Sequence, residues 1–391
     1  MTSISAPPLG QAPARFDLLC KIAQGYAMPP FWILAPQQII SLLVIVFILM
    51  SASPCTAADS QTALHPSADA TAAHLLYELV EDGSPTEALR IPVAEWYPRN
   101  GKPEGMVLAI HGLALHGGRY SLLGRFAAST GYYLAAPDLR GFGKCRFDKT
   151  GKYSTGEDRR NKINYDKSAE DVALLATWMK RKYPDLPLTI LGESLGATMA
   201  LKVAAAHPDL VSGIVLSSPA AKVNALMYVY PENVAQTVAG LIRPSSNVKL
   251  NAFMQKLVSF NPQVGAALLK DPLVAKELTV GELLVSDSFV HKTINYARQI
   301  KEGTPVLILA ASKDHCVKPE AVTKITENIK SANQTIRWLD HHDHLLLESE
   351  FIRTATVDSL LDWSEDLSPE RKQELAKMHQ LLMDLGDRAA D

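Results

Sequence analysis

The chain has 391 residues, of which 47% are hydrophobic and 20% are charged, and its formal net charge at pH 7 is −2. This is the composition of a globular protein long enough for one large domain or for a domain that carries an insertion. The charge is close to balanced and no basic run stands out, so nothing indicates a nucleic-acid-binding protein.

The amino-terminal part of the chain differs in composition from the rest. Almost every residue from Ile39 to Ala52 is apolar, and the small residues Cys55–Ala58 follow closely. An apolar core of this length with a small-residue cleavage site is typical of a signal peptide. The apolar stretch Phe31–Ala35 lies just upstream, so the apolar zone also reaches the ~20 residues that an uncleaved membrane anchor needs. A buried core helix is the third interpretation. We predict that residues 1–58 are a targeting segment, either signal peptide or anchor.

The distribution of basic residues predicts on which side of a membrane the remaining chain lies. Arg15 and Lys21 precede the apolar segment, and no Lys or Arg follows it until Arg90. Because basic residues stay on the cytoplasmic side, the rest of the chain is expected to be exported. It would then be membrane-anchored, or secreted or periplasmic after cleavage. Ser, Ala and Thr dominate the next stretch without a regular period, and we assign 59–73 as a linker.

Residues 74–365 have the pattern of a folded domain. The first part predicts an antiparallel hairpin around Asp82–Pro85, because apolar and polar residues alternate on both sides of it. Strands then alternate with helices, which is typical of a mainly parallel sheet with helices on both faces. The predicted strands are Met106–Ile110, Tyr132–Ala136, Pro187–Leu191, Val211–Leu216, Pro305–Ala310 and Gln334–Leu339, and the predicted helices include Ser168–Lys182, Leu195–Ala206 and one that begins at Leu346.

The alternation is interrupted between residues 219 and 303. The interruption contains helical stretches rich in Leu, Val, Ala and Met, and it leaves and re-enters the sheet at strand ends. We predict that 219–303 forms a helical cap above the carboxyl edge of the sheet, where sites of such sheets lie. A structural subdomain without a role in binding is the alternative.

The predicted nucleophile lies between a strand and a helix. An apolar run ends at Gly192, Ser194 follows, and Gly196 opens a stretch of small, helix-forming residues. A turn this sharp leaves no room for a Cβ atom on either side of the serine, and it exposes the hydroxyl. The amide of Leu195, at the helix N-terminus, would face an oxyanion formed there. The alternative is an ordinary strand-to-helix connection whose serine only caps the helix.

A serine nucleophile needs a general base and an acid that orients it. Asp314 follows a predicted strand by four residues, and His344 follows the next strand, in a loop that also contains His341 and His342. The chain order Ser, Asp, His is the one found with such turns. Three neighbouring histidines leave the identity of the base open, and they also admit a metal site, although no matching carboxylate–histidine pattern occurs at another strand end.

Several short motifs are spread along the chain. They are His111-Gly112 with His116, Arg119 and Tyr120, then Pro137-Asp138 with Arg140-Gly141 and Gly143, Gly192-x-Ser194-x-Gly196, Asp271-Pro272-Leu273-Val274, Ser312-Lys313-Asp314, and the His344 segment that ends in Glu348. Together these motifs resemble the monoacylglycerol lipase and lysophospholipase branch of the α/β-hydrolases, over roughly residues 74–365. The resemblance implies an eight-stranded, mostly parallel sheet with helices on both faces and a helical cap that covers a lipid. It implies Ser194 as nucleophile, Asp314 as acid, His344 as base, and the amides of Leu113 and Leu195 as oxyanion donors.

The resulting prediction is a serine hydrolase without a cofactor or metal, acting on a lipid ester with one acyl chain, at a membrane surface. An aminopeptidase or a small-ester esterase of the same fold, and a non-catalytic binding module, remain as alternatives. The oligomeric state stays open. The implied fold separates Cys145 and Cys316 by four strands, about 19 Å at ~4.8 Å per strand, so we expect no disulfide between them. Residues 366–391 lie outside the match and have the apolar spacing of a helical tail.

Overall fold

The structure, a computed structural model, describes residues 77–80, 89–98, 102–148, 150–154, 160–221 and 243–367. The predicted targeting segment 1–58, the predicted linker 59–73 and the predicted tail beyond residue 367 lie outside the described residues. No helix in the described ranges is both long and apolar enough to cross a membrane.

An eight-stranded sheet forms the centre of the fold. The strand order is β1-β2-β4-β3-β5-β6-β9-β10, in which β1, β2 and β4 pair antiparallel and all other neighbours pair parallel. This confirms the predicted eight-stranded, mostly parallel sheet. The strands are β1 Tyr77–Val80, β2 Val93–Pro98, β3 Gly105–Ile110, β4 Tyr132–Pro137, β5 Leu188–Glu193, β6 Gly213–Ser217, β9 Val306–Ala311 and β10 Gln334–Leu339.

Two apolar cores cover the two faces of this sheet. Side chains alternate between the faces of a strand, so Ile190 of β5 joins one core and its neighbour Leu191 joins the other. The helices of the sheet layer are α1 Ser121–Ser129, the short α2 Gly143–Arg146, α3 Tyr165–Lys182, α4 Leu195–Ala206, α9 Pro319–Asn328 and α10 Thr354–Leu367. Helices α3 and α4 contribute side chains to the first core, and α1 and α10 contribute side chains to the second.

Residues 243–303, the larger of the two described parts of the predicted cap, contain a small antiparallel ribbon and four helices. A capping box at Thr279 begins the third of these helices, with the Thr279 side chain and Glu282 satisfying each other's backbone amides. The Glu282 carboxylate also receives two hydrogen bonds from the guanidinium of Arg146, at 2.6 and 3.3 Å, which ties the cap to the sheet layer. The elements are β7 Asn247–Lys249, β8 Glu277–Thr279, α5 Asn251–Lys256, α6 Pro262–Lys270, α7 Val280–Val290 and α8 Thr293–Ala297.

Two predicted helices differ from the structure. Helix α3 begins three residues earlier than predicted, because the Asn164 side chain caps it by accepting the amide of Lys167. The helix predicted from Leu346 is wrong: residues 345–353 form an irregular segment, and α10 begins only at Thr354. The amides of Leu346 and Glu348 donate to a buried side chain of β5 instead of forming helical hydrogen bonds.

Candidate active site

Ser194 lies at the apex of a tight turn between β5 and α4. Its backbone has a φ of 56° and a ψ of −116°, a left-handed conformation that is costly for a residue other than glycine. A Cβ atom on Gly192 would lie 2.2 Å from the carbonyl oxygen of Gly196, and one on Gly196 would lie 2.0 Å from that of Ile110. Both glycines are therefore required by close backbone contacts, as the sequence predicted.

A mostly apolar pocket lies beside Ser194. The sheet layer and the cap both contribute to it. Cap side chains come from α5, α6 and α7. Leu284 and Val285 of α7 do not line the pocket and are about half exposed to solvent. The lining residues are Gly112, Leu113, Leu115, Glu193, Ser194, Leu195, Ala220, Phe253, Met254, Val258, Leu268, Ser286, Val290, Cys316, Val317, His344, Leu345 and Glu348.

Asp314 and His344 meet at the carboxyl edge of β9 and β10. Nδ1 of His344 lies 2.7 Å from Oδ2 of Asp314, and both side chains are 5% exposed. Oδ1 of Asp314 accepts the amides of Cys316 and Val317 at 2.7 and 2.8 Å. The aspartate is thus fixed by its own loop, and it fixes the imidazole with Nδ1 engaged and Nε2 left for the pocket.

The other two histidines of this loop have different surroundings. His341 is exposed, and its backbone has a φ of 56°. His342 is buried, but its Nδ1 lies 2.7 Å from the carbonyl oxygen of Asp340, and neither residue lines the pocket. Tertiary structure therefore distinguishes His344 from its neighbours, which the pattern of histidines alone did not; the family resemblance had implied His344.

The two predicted oxyanion donors, Leu113 and Leu195, line the same pocket as Ser194. Leu195 is the first residue of α4, where the helix leaves amides without an intrahelical acceptor. Leu113 follows β3, the strand next to β5. Its loop is held by His111, whose Nε2 accepts the amide of Leu139 at 3.0 Å; burial lowers the pKa of this histidine to about 4, so it is neutral and structural.

The pKa of His344 is raised above its ordinary value of 6.5. Burial lowers it, but the charge and hydrogen bond of Asp314 and the negative charges of Glu193 and Asp343 outweigh that effect. A raised pKa favours the imidazolium that forms when a base takes a proton from a nucleophile. The site is therefore electrostatically suited to general-base catalysis.

Two buried glutamates in the pocket wall were missed by the sequence interpretation as functional groups. Glu193 and Glu348 are both 0% exposed. Burial raises the pKa of Glu193, and burial together with the charge of Glu193 raises the pKa of Glu348 well above its ordinary value. Their positions within the serine and histidine motifs were the available signal, but nothing in the sequence showed that the backbone amide of Glu348 donates to the Glu193 carboxyl group.

Asp314, Cys316 and His344 place three possible metal-ligand atoms within 4.8 Å of one another. Nδ1 of His344 and Oδ2 of Asp314 are already paired with each other. Burial raises the pKa of the Cys316 thiol well above its ordinary value, which disfavours the thiolate that binds metals. The donor set fits a hydrogen-bonded Asp–His pair better than a metal site.

The sheet order, the strand-to-helix serine turn and the Asp–His pair at the carboxyl edge define the class of the protein: it has the α/β-hydrolase fold. The fold comparison agrees. The solved structure of a soluble variant of monoglyceride lipase from Saccharomyces cerevisiae, in complex with a substrate analogue, matches with a TM-score of 0.56 and 19% identity, over 75% of this chain and 92% of that chain.

Residues 101–350 match the serine aminopeptidase S33 family, and the chain belongs to that family. It is 27% identical over 255 residues to human monoglyceride lipase, covering 64% of this chain and 78% of the relative. It is 33% identical over 188 residues to the monoacylglycerol lipase of Mycolicibacterium smegmatis, covering 48% of this chain and 61% of the relative. The protein is thus a carboxylic ester hydrolase of the monoglyceride lipase branch.

Proposed function

We propose that the protein hydrolyses lipid esters with a single acyl chain, such as a monoacylglycerol or a lysophospholipid, with Ser194, His344 and Asp314 as a catalytic triad. The observation that carries this proposal is the 2.7 Å Asp314–His344 pair, which lies beside a strained serine turn in one apolar pocket. The names of the relatives, monoglyceride lipase and monoacylglycerol lipase, support the same substrate class.

The proposed reaction uses these residues in two steps. Oγ of Ser194 attacks the ester carbonyl carbon while Nε2 of His344 takes its proton, and the amides of Leu113 and Leu195 donate to the oxyanion. The tetrahedral intermediate then collapses, and His344 gives the proton to the departing alcohol. A water molecule, activated by the same histidine, hydrolyses the acyl-enzyme and releases the fatty acid. Asp314 orients the imidazole and stabilises its charge in both steps.

The pocket lining supports an acyl chain rather than an acetyl group. The walls contain Phe253, Met254, Val258, Leu268 and Val290, all contributed by the cap. Each methylene that such walls bury contributes on the order of 0.8 kcal/mol. The pocket therefore favours medium or long chains, and the cap excludes water from the charged intermediate.

The test combines labelling with a substrate series. A fluorophosphonate probe should label the wild-type chain and should not label Ser194→Ala. With p-nitrophenyl esters of two to sixteen carbons, kcat/KM should rise from acetate towards the longer chains. Labelling that persists without Ser194 would contradict the proposed nucleophile. A maximum at acetate would favour a small-ester esterase, and release of amino-terminal residues from peptides would favour an aminopeptidase.

Variants of the histidine loop test the assignment of the base. His344→Ala should lower kcat by at least ~10³, as should Ser194→Ala, because members of a triad act as a unit. His342→Ala is the matched control, since its side chain faces Asp340 and not the pocket. An equally inactive His342→Ala protein would show that His344 is not the base.

We also propose that the enzyme is exported and acts at a membrane surface. The support is the apolar segment Ile39–Ala52, preceded by Arg15 and Lys21. Fractionation of cells that express the full chain should place it with membranes or outside the cytoplasm. Deletion of residues 39–52 should return it to the cytoplasm, and an unchanged distribution would contradict the proposal.

A further inference from the structure

The side chain of Glu193 connects the serine turn to the loop that carries His344. Its Oε1 accepts the amides of Leu346 and Leu347 at 2.8 and 3.1 Å, and its Oε2 accepts those of Leu347 and Glu348 at 3.2 and 2.8 Å. The hydroxyl of Ser217 donates to Oε1 at 2.6 Å. One buried carboxylate next to Ser194 therefore holds three consecutive amides that begin two residues after His344.

These contacts replace the secondary structure that this segment would otherwise form. Residues 345–353 are irregular, so their amides need acceptors from elsewhere in the fold, since an unpaired buried amide is costly. A short, irregular loop gives its side chains little positional constraint of its own. The position of His344 therefore depends on Glu193 as well as on its bond to Asp314.

Glu348 extends the connection to the loop of the oxyanion donor Leu113. Its Oε1 accepts the amide of Gly112 at 2.7 Å and the hydroxyl of Tyr120 at 3.0 Å. The same hydroxyl lies 2.9 Å from the carbonyl oxygen of Ile110, at the end of β3, so its single proton is shared between two acceptors. The residue before Leu113 is thus held by a side chain whose own backbone is held by Glu193.

We propose that Glu193 and Glu348 are positioning residues that assemble the serine turn, the His344 loop and the Leu113 loop into one site. This inference rests on the proposed function, because it assigns those three segments their catalytic roles. Glu193 acts on the reaction through His344, and Glu348 acts through Gly112. Neither side chain is proposed to bond to the reacting atoms.

The charges around the two glutamates support these positioning roles. Among the described residues, every hydrogen-bond partner of the Glu193 carboxyl group is a donor. The carboxylate form therefore satisfies them all, and it adds negative charge near His344. Oε2 of Glu348 is buried without a partner among the described residues, which fits a neutral acid. The acidic groups that act on His344 are Asp314, Glu193 and Asp343. Replacing Glu193 with a neutral residue therefore removes one of three negative charges that favour the imidazolium.

The test compares Glu193→Gln with Glu95→Gln in the full chain. Glu95 is a matched control because it is also a buried carboxyl, 1% exposed, but it lies on β2 and accepts from Tyr97 and Tyr133. The assays are kcat and KM on a short p-nitrophenyl ester, the pH dependence of kcat/KM, and thermal unfolding. Glu193→Gln should lower kcat by roughly 10- to 100-fold with little change in KM, because a misplacement of the His344 imidazole by ~1 Å is enough for such a loss. It should also move the acid limb of the pH profile of kcat/KM to lower pH.

The control should show no change in kcat or in the acid limb, whatever its thermal stability. A Glu193→Gln protein with wild-type kcat and an unmoved acid limb would overturn the inference. A Glu193→Gln protein that loses kcat without a shift of the acid limb would also overturn it, because a merely structural role predicts that result. If Glu193→Gln does not fold, Glu193→Asp replaces it. The charge remains but the reach shortens, so kcat should fall while KM and the acid limb stay at their wild-type values. A wild-type kcat, or a loss that appears in KM instead, would then overturn the inference. A wild-type protein without Ser194-dependent esterase activity would instead refute the proposed function.

Discussion

Asp271 offers a quantitative test of how the cap is attached to the catalytic layer. It precedes the cap residue Pro272, and its Oδ2 lies 2.9 Å from Nε2 of His116 and 3.5 Å from Nη1 of Arg119. Arg119 also forms a two-bond pair with Glu350, at 2.7 and 2.9 Å. His116 and Arg119 follow the Leu113 loop, so Asp271 joins the cap to the segment that supplies the proposed oxyanion donor.

The pKa of Asp271 gives the size of its contribution to the free energy of unfolding. Burial works to raise it, but the hydrogen bond and charge of His116 and the charge of Arg119 lower it from 3.8 to about 2. Each tenfold change in proton affinity is worth about 1.4 kcal/mol, so the ionised carboxylate contributes about 2 kcal/mol to the free energy of unfolding. The folded pKa is lower than the unfolded one. The contribution is therefore complete above about pH 4 and is lost as the pH falls towards 2.

The assay is urea unfolding of wild type and Asp271→Asn at several pH values between 7 and 3. The variant should be about 2 kcal/mol less stable at pH 7, and the difference should shrink as the pH falls below 4. Asp209→Asn is the control: Asp209 lies 3.5 Å from Lys301 but its side chain is 92% exposed, so this change should be within error. A destabilisation of Asp271→Asn that stayed constant with pH would refute the electrostatic explanation.

Three further predictions concern the pH profile, the Glu348 contact and the two buried cysteines. Because the pKa of His344 is raised, kcat/KM should increase through an apparent pKa above 6.5, the value for an unperturbed histidine, and a profile centred below 6.5 would contradict this. Glu348→Gln should lose less kcat than Glu348→Leu, since an amide oxygen still accepts the Gly112 amide; equal losses would argue against that contact. Cys145 and Cys316 are both buried and reduced, so alkylation of the unreduced, denatured chain should modify both, whereas a peptide that links them would be a contrary result.

Much of the fold was predictable because its signals are local. Continuous apolar runs marked the parallel strands, and their alternation with helical segments predicted a sheet covered on both faces. Helix boundaries were less accurate: the cap of α3 at Asn164 was missed, although Asn is a common capping residue. The apolar run at Leu345–Leu347 was interpreted as a helix, but these residues are buried and irregular.

The sequence by itself determined the serine turn. Gly192, Ser194 and Gly196 lie close together in the chain, and the backbone contacts that require the glycines arise wherever a strand turns this sharply into a helix. Only the tertiary structure decided which histidine pairs with Asp314, because three candidates stand within four residues and the choice depends on which one the loop turns inward. The role of Glu193 was equally hidden. Its amide partners lie 153 to 155 residues away in the chain, so no local pattern encodes the contact that holds the loop of His344 in place.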